Sequence, residues 1–441
     1  MKSDELIIGL DAKRIVRNGT GLGSYGRTLV NDLSKAAGGE LSLHLYAPDQ
    51  GRDDLRNQIV MRPNVTFHFK TDNGQQTTDN RPLGQGTQER QQTTVQKGTW
   101  AQGLKNGLWR TYGIVSDLKR DGIQVFHGLS GELPVGLRKA GIKSVVTIHD
   151  LIFLRHPEYY HWLDTKIYAW KFRQTIREAD RIIAISERTK QDIMELGGVK
   201  EDKITVVYQS FSPRFGPLPT SPDEGRRKGS WLPPYRRDER GAYPYLLSVG
   251  TIEERKNILL AVKALCHLPE TLSLVIVGRR TKYADKVRQW ADQHGLSHRV
   301  VMRHDVTDDE LPSLYAGAEA FVYPSRYEGF GIPIIEAIAM GLPVVAATGS
   351  CLEEAGGPHS LYVNPDDAEG MAVAIRQLLH GAEGREERII RSREYIRRFE
   401  GSDVAAQVME IYRSVGVKEC RSEGVKEYRS AGVQECRSAG V

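Results

Sequence analysis

Short apolar runs recur along the chain, each followed by a polar or glycine-containing loop and then by a stretch with helical spacing. In the first half the runs are Leu6–Leu10, Leu41–Ala47, Ile123–His127, Ser144–His149, Arg181–Ser186 and Ile204–Val207. Their length and β-branched content predict buried strands. A glycine loop over Gly19–Gly26 leads into helical spacing through about Ala37, and helical spacing recurs over about Thr99–Arg120, Tyr159–Glu178 and Glu187–Leu196. The second half repeats the scheme with strands at Tyr245–Val249, Leu272–Gly278, Val300–Arg303 and Ala320–Tyr323. Helices are predicted from near Asn257 and over Asp308–Ala316, Asp366–Leu379, about Arg385–Phe399 and Val404–Tyr412. Alternation of strand and helix on this scale predicts an α/β protein with doubly wound, mainly parallel sheets.

At 441 residues the chain exceeds one ordinary core, which predicts two domains. The break falls in the Pro-, Gly- and Arg-rich segment 216–243, giving a first domain over 1–215 and a second over 244–400. A terminal helix is predicted over 401–413, and a tail over 414–441 repeats an octapeptide, GVKECRSE, GVKEYRSA, GVQECRSA. Three short polar copies build no solenoid, so the tail is expected to be disordered. Residues 71–98 are rich in Gln and Thr with almost no apolar positions, which predicts a loose insertion.

Composition is globular, with 39% hydrophobic and 27% charged residues and a formal charge of +5. So mild an excess does not announce nucleic-acid binding, although it permits attraction to anionic ligands or lipid. No run approaches the ~20 apolar residues of a membrane span, and the four cysteines show no metal-ligand spacing. The expectation is a cytoplasmic protein with free thiols, able to sit on the inner face of a membrane. Trp162, Ile167, Trp170 and Ile176 in the Tyr159–Glu178 helix are expected mainly to pack on the sheet. The remaining aromatic and basic surface of that helix suits a membrane interface.

The chemistry concentrates in Ser325–Gly341, SRYEGFGIPIIEAIAMG. Glu328 and Glu336 stand eight positions apart, with Gly329, Phe330, Gly331, Ile332 and Pro333 between them. Glycines give a tight turn of bare amides, and Pro333 suits a first helical turn. A strand, such a loop and a helix N-terminus make an anion site, with Glu328 in the loop and Glu336 expected in the first turn. This stretch resembles the carboxylate-x7-carboxylate motif of retaining glycosyltransferases of family 4, and the similarity continues through Leu342–Pro365. The resemblance implies the GT-B fold, two facing Rossmann-like domains with a cleft between them and a C-terminal helix, here 401–413, that crosses back onto the first domain. It also implies that Glu328 lies beside the donor sugar and Glu336 binds the nucleotide ribose.

The same resemblance carries further roles. Arg255 and Lys256, after the first strand of the second domain, match the family's basic pair for the donor diphosphate. Val306, with His304 and Asp305, occupies the base-reading loop. His149 matches the histidine of a His-Asp segment that contacts the donor sugar, and Asp150 and His127 are acceptor-side candidates. Both histidines end predicted strands, where open sheets bind ligands; a buried, hydrogen-bonded structural role is the alternative for each. Gly21, Gly23 and Gly26 spell G-x-G-x-x-G and are read as a mobile glycine loop near the donor, or else as a plain helix start. No Asp-x-Asp occurs anywhere in the chain, so no metal or other cofactor is expected. The implied reaction moves a hexose, guessed as mannose from GDP-mannose, from a nucleotide-diphosphate sugar to a glycan or polyprenyl-linked acceptor. Competing readings are an NAD-dependent oxidoreductase built on the Gly21–Gly26 segment, a sugar-nucleotide epimerase of the same fold, and a non-catalytic binder.

Overall fold

The computed structural model describes residues 5–37, 39–70, 76–79, 106–209, 211–215, 244–399 and 401–416. The linker 216–243, the octapeptide tail and most of the 71–98 segment lie outside the described residues.

Eight strands build the first sheet: β1 Leu6–Asp11, β2 Leu41–Ala47, β3 Val65–Lys70, β4 Gln76–Asp79, β5 Val125–Gly128, β6 Lys143–Ile148, β7 Arg181–Ala184 and β8 Ile204–Val206. Their spatial order is β4-β3-β2-β1-β5-β6-β7-β8, parallel except for β4 against β3. The second sheet has six parallel strands: β9 Tyr245–Val249, β10 Ser273–Val277, β11 Val300–Arg303, β12 Ala320–Tyr323, β13 Val344–Ala347 and β14 Leu361–Val363. They run in the order β11-β10-β9-β12-β13-β14. Helices cover both faces, which is why β5, β10, β12 and β13 are buried at every position instead of alternating.

Three local expectations are corrected. Gln76–Asp79, within the stretch read as a loose insertion, pairs antiparallel with β3. A ladder of backbone hydrogen bonds on a sheet edge needs no apolar side chains, so hydropathy misses it. The segment read as one helix to Arg120 is described from residue 106 and passes through a π-helical turn, Trp109–Gly113, before Ile114–Arg120. The aromatic helix starts at Trp162, after a 3-10 turn at Pro157–Tyr159, and buries Ala169, Phe172 and Thr175. Trp162, Ile167 and Trp170 are exposed instead of packing on the sheet, and Ile176 packs partly buried.

The helix Gly401–Gly416 follows the second domain yet joins the core of the first. Val404, Ala405, Val408, Tyr412 and Val415 pack with Ile8, Leu10, Tyr25 and Leu29. The Tyr412 hydroxyl is 2.7 Å from Nδ1 of fully buried His127.

The domains also meet directly across the cleft. Ser186 Oγ, after β7, donates to the Gly329 carbonyl at 2.8 Å. Glu354 reaches over from the second domain and accepts from the amides of Glu187 (2.7 Å) and Arg188 (3.0 Å). A carboxylate there caps the helix Glu187–Gly197 and meets the positive end of its dipole. Tyr327 donates to Asp192 and accepts from Arg188 Nε at 2.9 Å. At Gly329 the approach is closest: a Cβ would lie 2.0 Å from the His149 carbonyl oxygen and 3.2 Å from Asp150 Cβ. Both neighbours are backbone-anchored and cannot swing aside. Gly329→Ala is therefore expected to push the domains apart, costing about 1–3 kcal/mol of overpacking. Small-angle X-ray scattering should show a larger radius of gyration, with the secondary structure of both domains retained by circular dichroism. An unchanged scattering profile would count against this contact as the closure point.

Candidate active site

Each sheet reverses its winding once, between β1 and β5 and between β9 and β12. Loops at the carboxyl ends of the flanking strands open a crevice there, where open parallel sheets take ligands. In the second domain those loops are Gly250–Asn257 after β9 and Pro324–Gly331 after β12.

Asn257 aims the first loop. It is the single non-glycine residue with positive φ among the described residues, +53°, a conformation asparagine tolerates better than most. Its side-chain amide donates to the carbonyls of Pro324 (3.2 Å) and Pro365 (2.7 Å), tying the β9 loop to chain leaving β12 and β14. Lys256 is thereby turned toward Glu328. Lys256 Nζ lies 2.5 Å from Glu328 Oε1 and 2.8 Å from the Tyr323 hydroxyl. Arg255 Nη1 lies 3.0 Å from Glu328 Oε2, and its Nη2 bonds Glu253 at 2.7 Å. Ser325 Oγ donates to Glu328 Oε1 at 2.5 Å, and the Tyr323 hydroxyl approaches the same oxygen at 3.3 Å. The buried Cys351 thiol donates to the carbonyls of Glu328 and Phe330, bracing the loop from behind.

Glu328 is only 9% exposed. Burial alone would raise its pKa, but attraction to Lys256 and Arg255 outweighs burial and lowers it to about 2. Burial would likewise lower the Lys256 pKa, yet the Glu328 charge holds it above the ordinary value, and Arg255 is raised in the same way. Glu328 is thus bonded by both cations, and Arg255 divides its guanidinium between Glu328 and the more exposed Glu253, in a largely desolvated crevice. Asp150 faces the same three charges from the first domain, and burial raises its pKa.

Glu336 stands elsewhere on the motif. The helix runs Ile332–Ala339, with Gly331 at φ +135° before it and Pro333 in its first turn. Glu336 is thus in the second turn, not the first. Its Oε2 accepts from the Tyr315 hydroxyl at 3.1 Å, and burial pushes its pKa up to about 7. Tyr315, Phe321 and Tyr323 form an aromatic row with centroid spacings of 5.5 and 5.8 Å. Glu336 bonds one end of that row and Glu328 the other. Gly331 and Ile332 lie at the helix start, where amides lack intrahelical partners. Phe330 is buried against Tyr208 and Phe399.

His149 lies at the end of β6 beside this cluster, with its ring braced on both sides. Nε2 is 2.8 Å from the Leu129 carbonyl, so it carries the proton, and Nδ1 is 2.6 Å from Gln209 Nε2, which donates to it. Burial lowers its pKa to about 4 and keeps it neutral. A sugar hydroxyl would have to displace one of those bonds to reach a ring nitrogen. His127 is corrected from acceptor candidate to structural residue. Its nitrogens meet Tyr412 and Thr147 Oγ1 (2.8 Å), it is fully buried, and burial lowers its pKa to about 3.

Gly21, Gly23 and Gly26 form no mobile loop; they lie inside the helix Gly21–Ala36. A Cβ on Gly23 would be 1.8 Å from the Asn18 carbonyl, and one on Gly26 2.8 Å from Ile15. Close packing on the helix Lys13–Arg17 and its C-cap Asn18 accounts for both glycines, whereas a Cβ on Gly21 would meet nothing within 4 Å. Val306 packs partly buried against the second-domain core, beyond edge strand β11. His304 Nδ1 meets the Gly278 carbonyl at 2.6 Å. Tyr323, Ser325, Asn257 and Gln209 were not singled out from sequence. Ser325 and Tyr323 were findable, because both adjoin the motif at the end of a strand. Gln209 carries no local signal.

The description "Glycosyl transferases group 1" matches residues 236–395, and "Glycosyltransferase Family 4" matches residues 29–215. The chain is 31% identical to O-antigen chain mannosyltransferase B of Escherichia coli over 294 residues, 66% of this chain and 74% of that protein. It is 28% identical to O-antigen chain mannosyltransferase RfbU of Salmonella typhimurium over 235 residues, 53% of this chain and 60% of that protein. In fold it is similar to sucrose-phosphate synthase from Thermosynechococcus elongatus, with a TM-score of 0.69 and 20% identity, covering 93% of this chain and 99% of that one. Two opposed parallel sheets, the Glu328 cluster between them and family matches on both sides of the linker lead to one assignment: this chain belongs to glycosyltransferase family 4, the group 1 transferases with the GT-B fold.

Proposed function

We propose that the chain transfers a hexose, mannose, from a nucleotide-diphosphate sugar to a glycan or polyprenyl-linked acceptor. We further propose retention of anomeric configuration and no requirement for a metal. The observation that carries the reading is Glu328 held between Lys256 and Arg255, with Asp150 facing the three of them. The two relatives named as O-antigen mannosyltransferases support the choice of sugar and acceptor class.

In this reading the bond between the anomeric carbon and the diphosphate oxygen breaks, and a bond to an acceptor hydroxyl oxygen forms. The diphosphate leaves with the bonding electron pair. Lys256 and Arg255 receive that growing charge, joined by amides at the Gly331–Ile332 helix start. Preorganised donors in a water-poor site are the usual largest source of such stabilisation. Glu328 turns the cations toward the phosphates and faces the sugar, and Glu336 takes the ribose hydroxyls. His149 braces the crevice wall at the closest interdomain contact.

Kinetics on three variants test the assignment. Lys256→Ala removes a charge-assisted contact worth roughly 1.5–3 kcal/mol and should lower kcat/KM by about tenfold to a hundredfold. Glu336→Gln should mainly raise the donor KM, as for uniform binding. Glu328→Gln keeps the shape but leaves buried Lys256 without its carboxylate and Arg255 with Glu253 alone. It should depress kcat far more than it weakens nucleoside-diphosphate binding by calorimetry. Near-normal kcat in Glu328→Gln would remove Glu328 from the chemical step, and absence of turnover in the parent protein on every donor would favour the non-catalytic binder.

Metal independence has its own measurement. Turnover on a panel of sugar nucleotides, GDP-mannose first, should persist in excess chelator. Complete loss reversed by magnesium or manganese would overturn the cation-only account of the leaving group.

Glu336 also predicts a pH effect on stability. Its folded-state pKa, about 7, exceeds the ordinary 4.5, so the folded state binds the extra proton between those values. That contribution is full below 4.5 and is lost as pH rises through 7, on the order of 3 kcal/mol in all. Glu336→Gln should therefore be more stable than the parent at pH 8, with the gap closing toward pH 4.5, in denaturant titrations. A gap that stays constant with pH would show that Glu336 titrates normally.

A further inference from the structure

The helix Trp162–Glu178 buries a narrow face, Ala169, Phe172 and Thr175. Its opposite face leaves large apolar groups in solvent: Trp162 is 58% exposed, Ile167 51%, Leu163 47% and Trp170 45%. Trp162, Lys166, Trp170, Arg173 and Arg177 follow one another at helical spacings of three or four and so share one stripe. Lys166 Nζ lies 4.8 Å from the centroid of the Trp162 ring. Acidic Asp164 and Glu178 fall off the stripe by the same spacing.

At its C-terminal end the stripe runs into a cavity of about 520 Å³ between this helix and the end of Glu187–Gly197. Arg173, Arg177, Lys200 and Lys203 line it with Asp202 as the one acid, and Ile176, Leu196 and Val199 supply apolar wall. Lys203 Nζ is spent on the Ile176 carbonyl at 2.7 Å. Arg173, Arg177 and Lys200 form no ion pair among the described residues. Exposed tryptophans leading into an unneutralised basic cavity suit a surface that is apolar at depth and anionic at its edge.

We infer that this face docks on an anionic lipid bilayer, with Trp162 and Trp170 in the interface and the cavity holding a lipid headgroup phosphate. A second copy of the chain is a poorer occupant, because a two-fold contact would set Lys166, Arg173 and Arg177 against themselves. No described helix is long and apolar enough to cross a membrane, so the docking is peripheral. The inference is independent of the sugar reading, because the face is remote in sequence from the donor loops and binding is measured without donor or acceptor.

The full chain is floated with vesicles of phosphatidylcholine alone and with vesicles containing about one third phosphatidylglycerol. It should float only with the anionic vesicles, and less as salt rises. Arg173→Glu with Arg177→Glu, and separately Trp162→Ser with Trp170→Ser, should each reduce partitioning about tenfold or more. Melting temperature and nucleoside-diphosphate affinity should hold, since these side chains are exposed. Failure to float, or floating undiminished in both double variants, overturns the inference. Saturable binding of inorganic phosphate that the arginine pair abolishes, without vesicle binding, would make the cavity a soluble-anion site instead. Dimerisation by light scattering that the tryptophan pair abolishes, again without vesicle binding, would make the face a protein interface.

Discussion

A carboxylate and two cations cannot be taken out of water singly. Glu328, Lys256 and Arg255 are buried together because each meets the other's desolvation cost, and breaking one side of such a pair costs about 3–5 kcal/mol. That requirement fixes the relation of the two loops at the winding reversal of the second sheet. The β9 loop must bring its cations to the β12 loop, and Asn257, held left-handed, ties those loops together. Tyr323 and Ser325 complete the shell around one carboxylate oxygen. The cluster is assembled by the fold itself, with Glu253 engaging the other side of Arg255. In the transferase reading proposed above, an incoming diphosphate meets donors already oriented by folding.

The first domain is built against this cluster and not merely beside it. Gly329, next to Glu328, has no side chain, so the His149 carbonyl can lie where a Cβ would stand. Ser186 and Thr189 bond the same stretch of backbone, and Glu354 caps the helix that follows Ser186. The terminal helix Gly401–Gly416 adds a second bridge through Tyr412 and His127. The links at Ser186, Thr189 and Glu354 use polar groups satisfied by the opposite domain, while the terminal helix and the Phe330–Tyr208 contact add apolar packing. Opening the cleft would therefore expose partners that water can satisfy, at modest net cost per bond. That balance suits an enzyme that must admit and release substrate between its halves.

Ten of the fourteen described strands were legible along the chain, because strands buried on two faces read as unbroken apolar runs and loops as polar breaks, whereas Val65–Lys70, Val344–Ala347 and Leu361–Val363 were not predicted. The motif Glu328–Glu336 was legible because its glycines, proline and carboxylates have local reasons to be adjacent. Elements that failed did so for definable reasons. Gln76–Asp79 is held by backbone bonds that hydropathy does not register. Gly23 and Gly26 look like a phosphate loop, yet their missing side chains serve helix packing. Trp162 and Trp170 look like core, yet the helix rotates a smaller stripe inward.

By itself, then, the sequence determined the two-domain α/β plan, the family, and which charged residues belong to the crevice. All of these rest on patterns within tens of residues. Only the tertiary structure decided how those residues are used. It alone showed that His127 is sealed beneath Tyr412, 285 positions away, that His149 is braced by Leu129 and Gln209, and that Glu336 lies at the far end of an aromatic row from Glu328. A side chain's protonation and availability depend on burial and on partners brought from distant chain, and no local pattern encodes either.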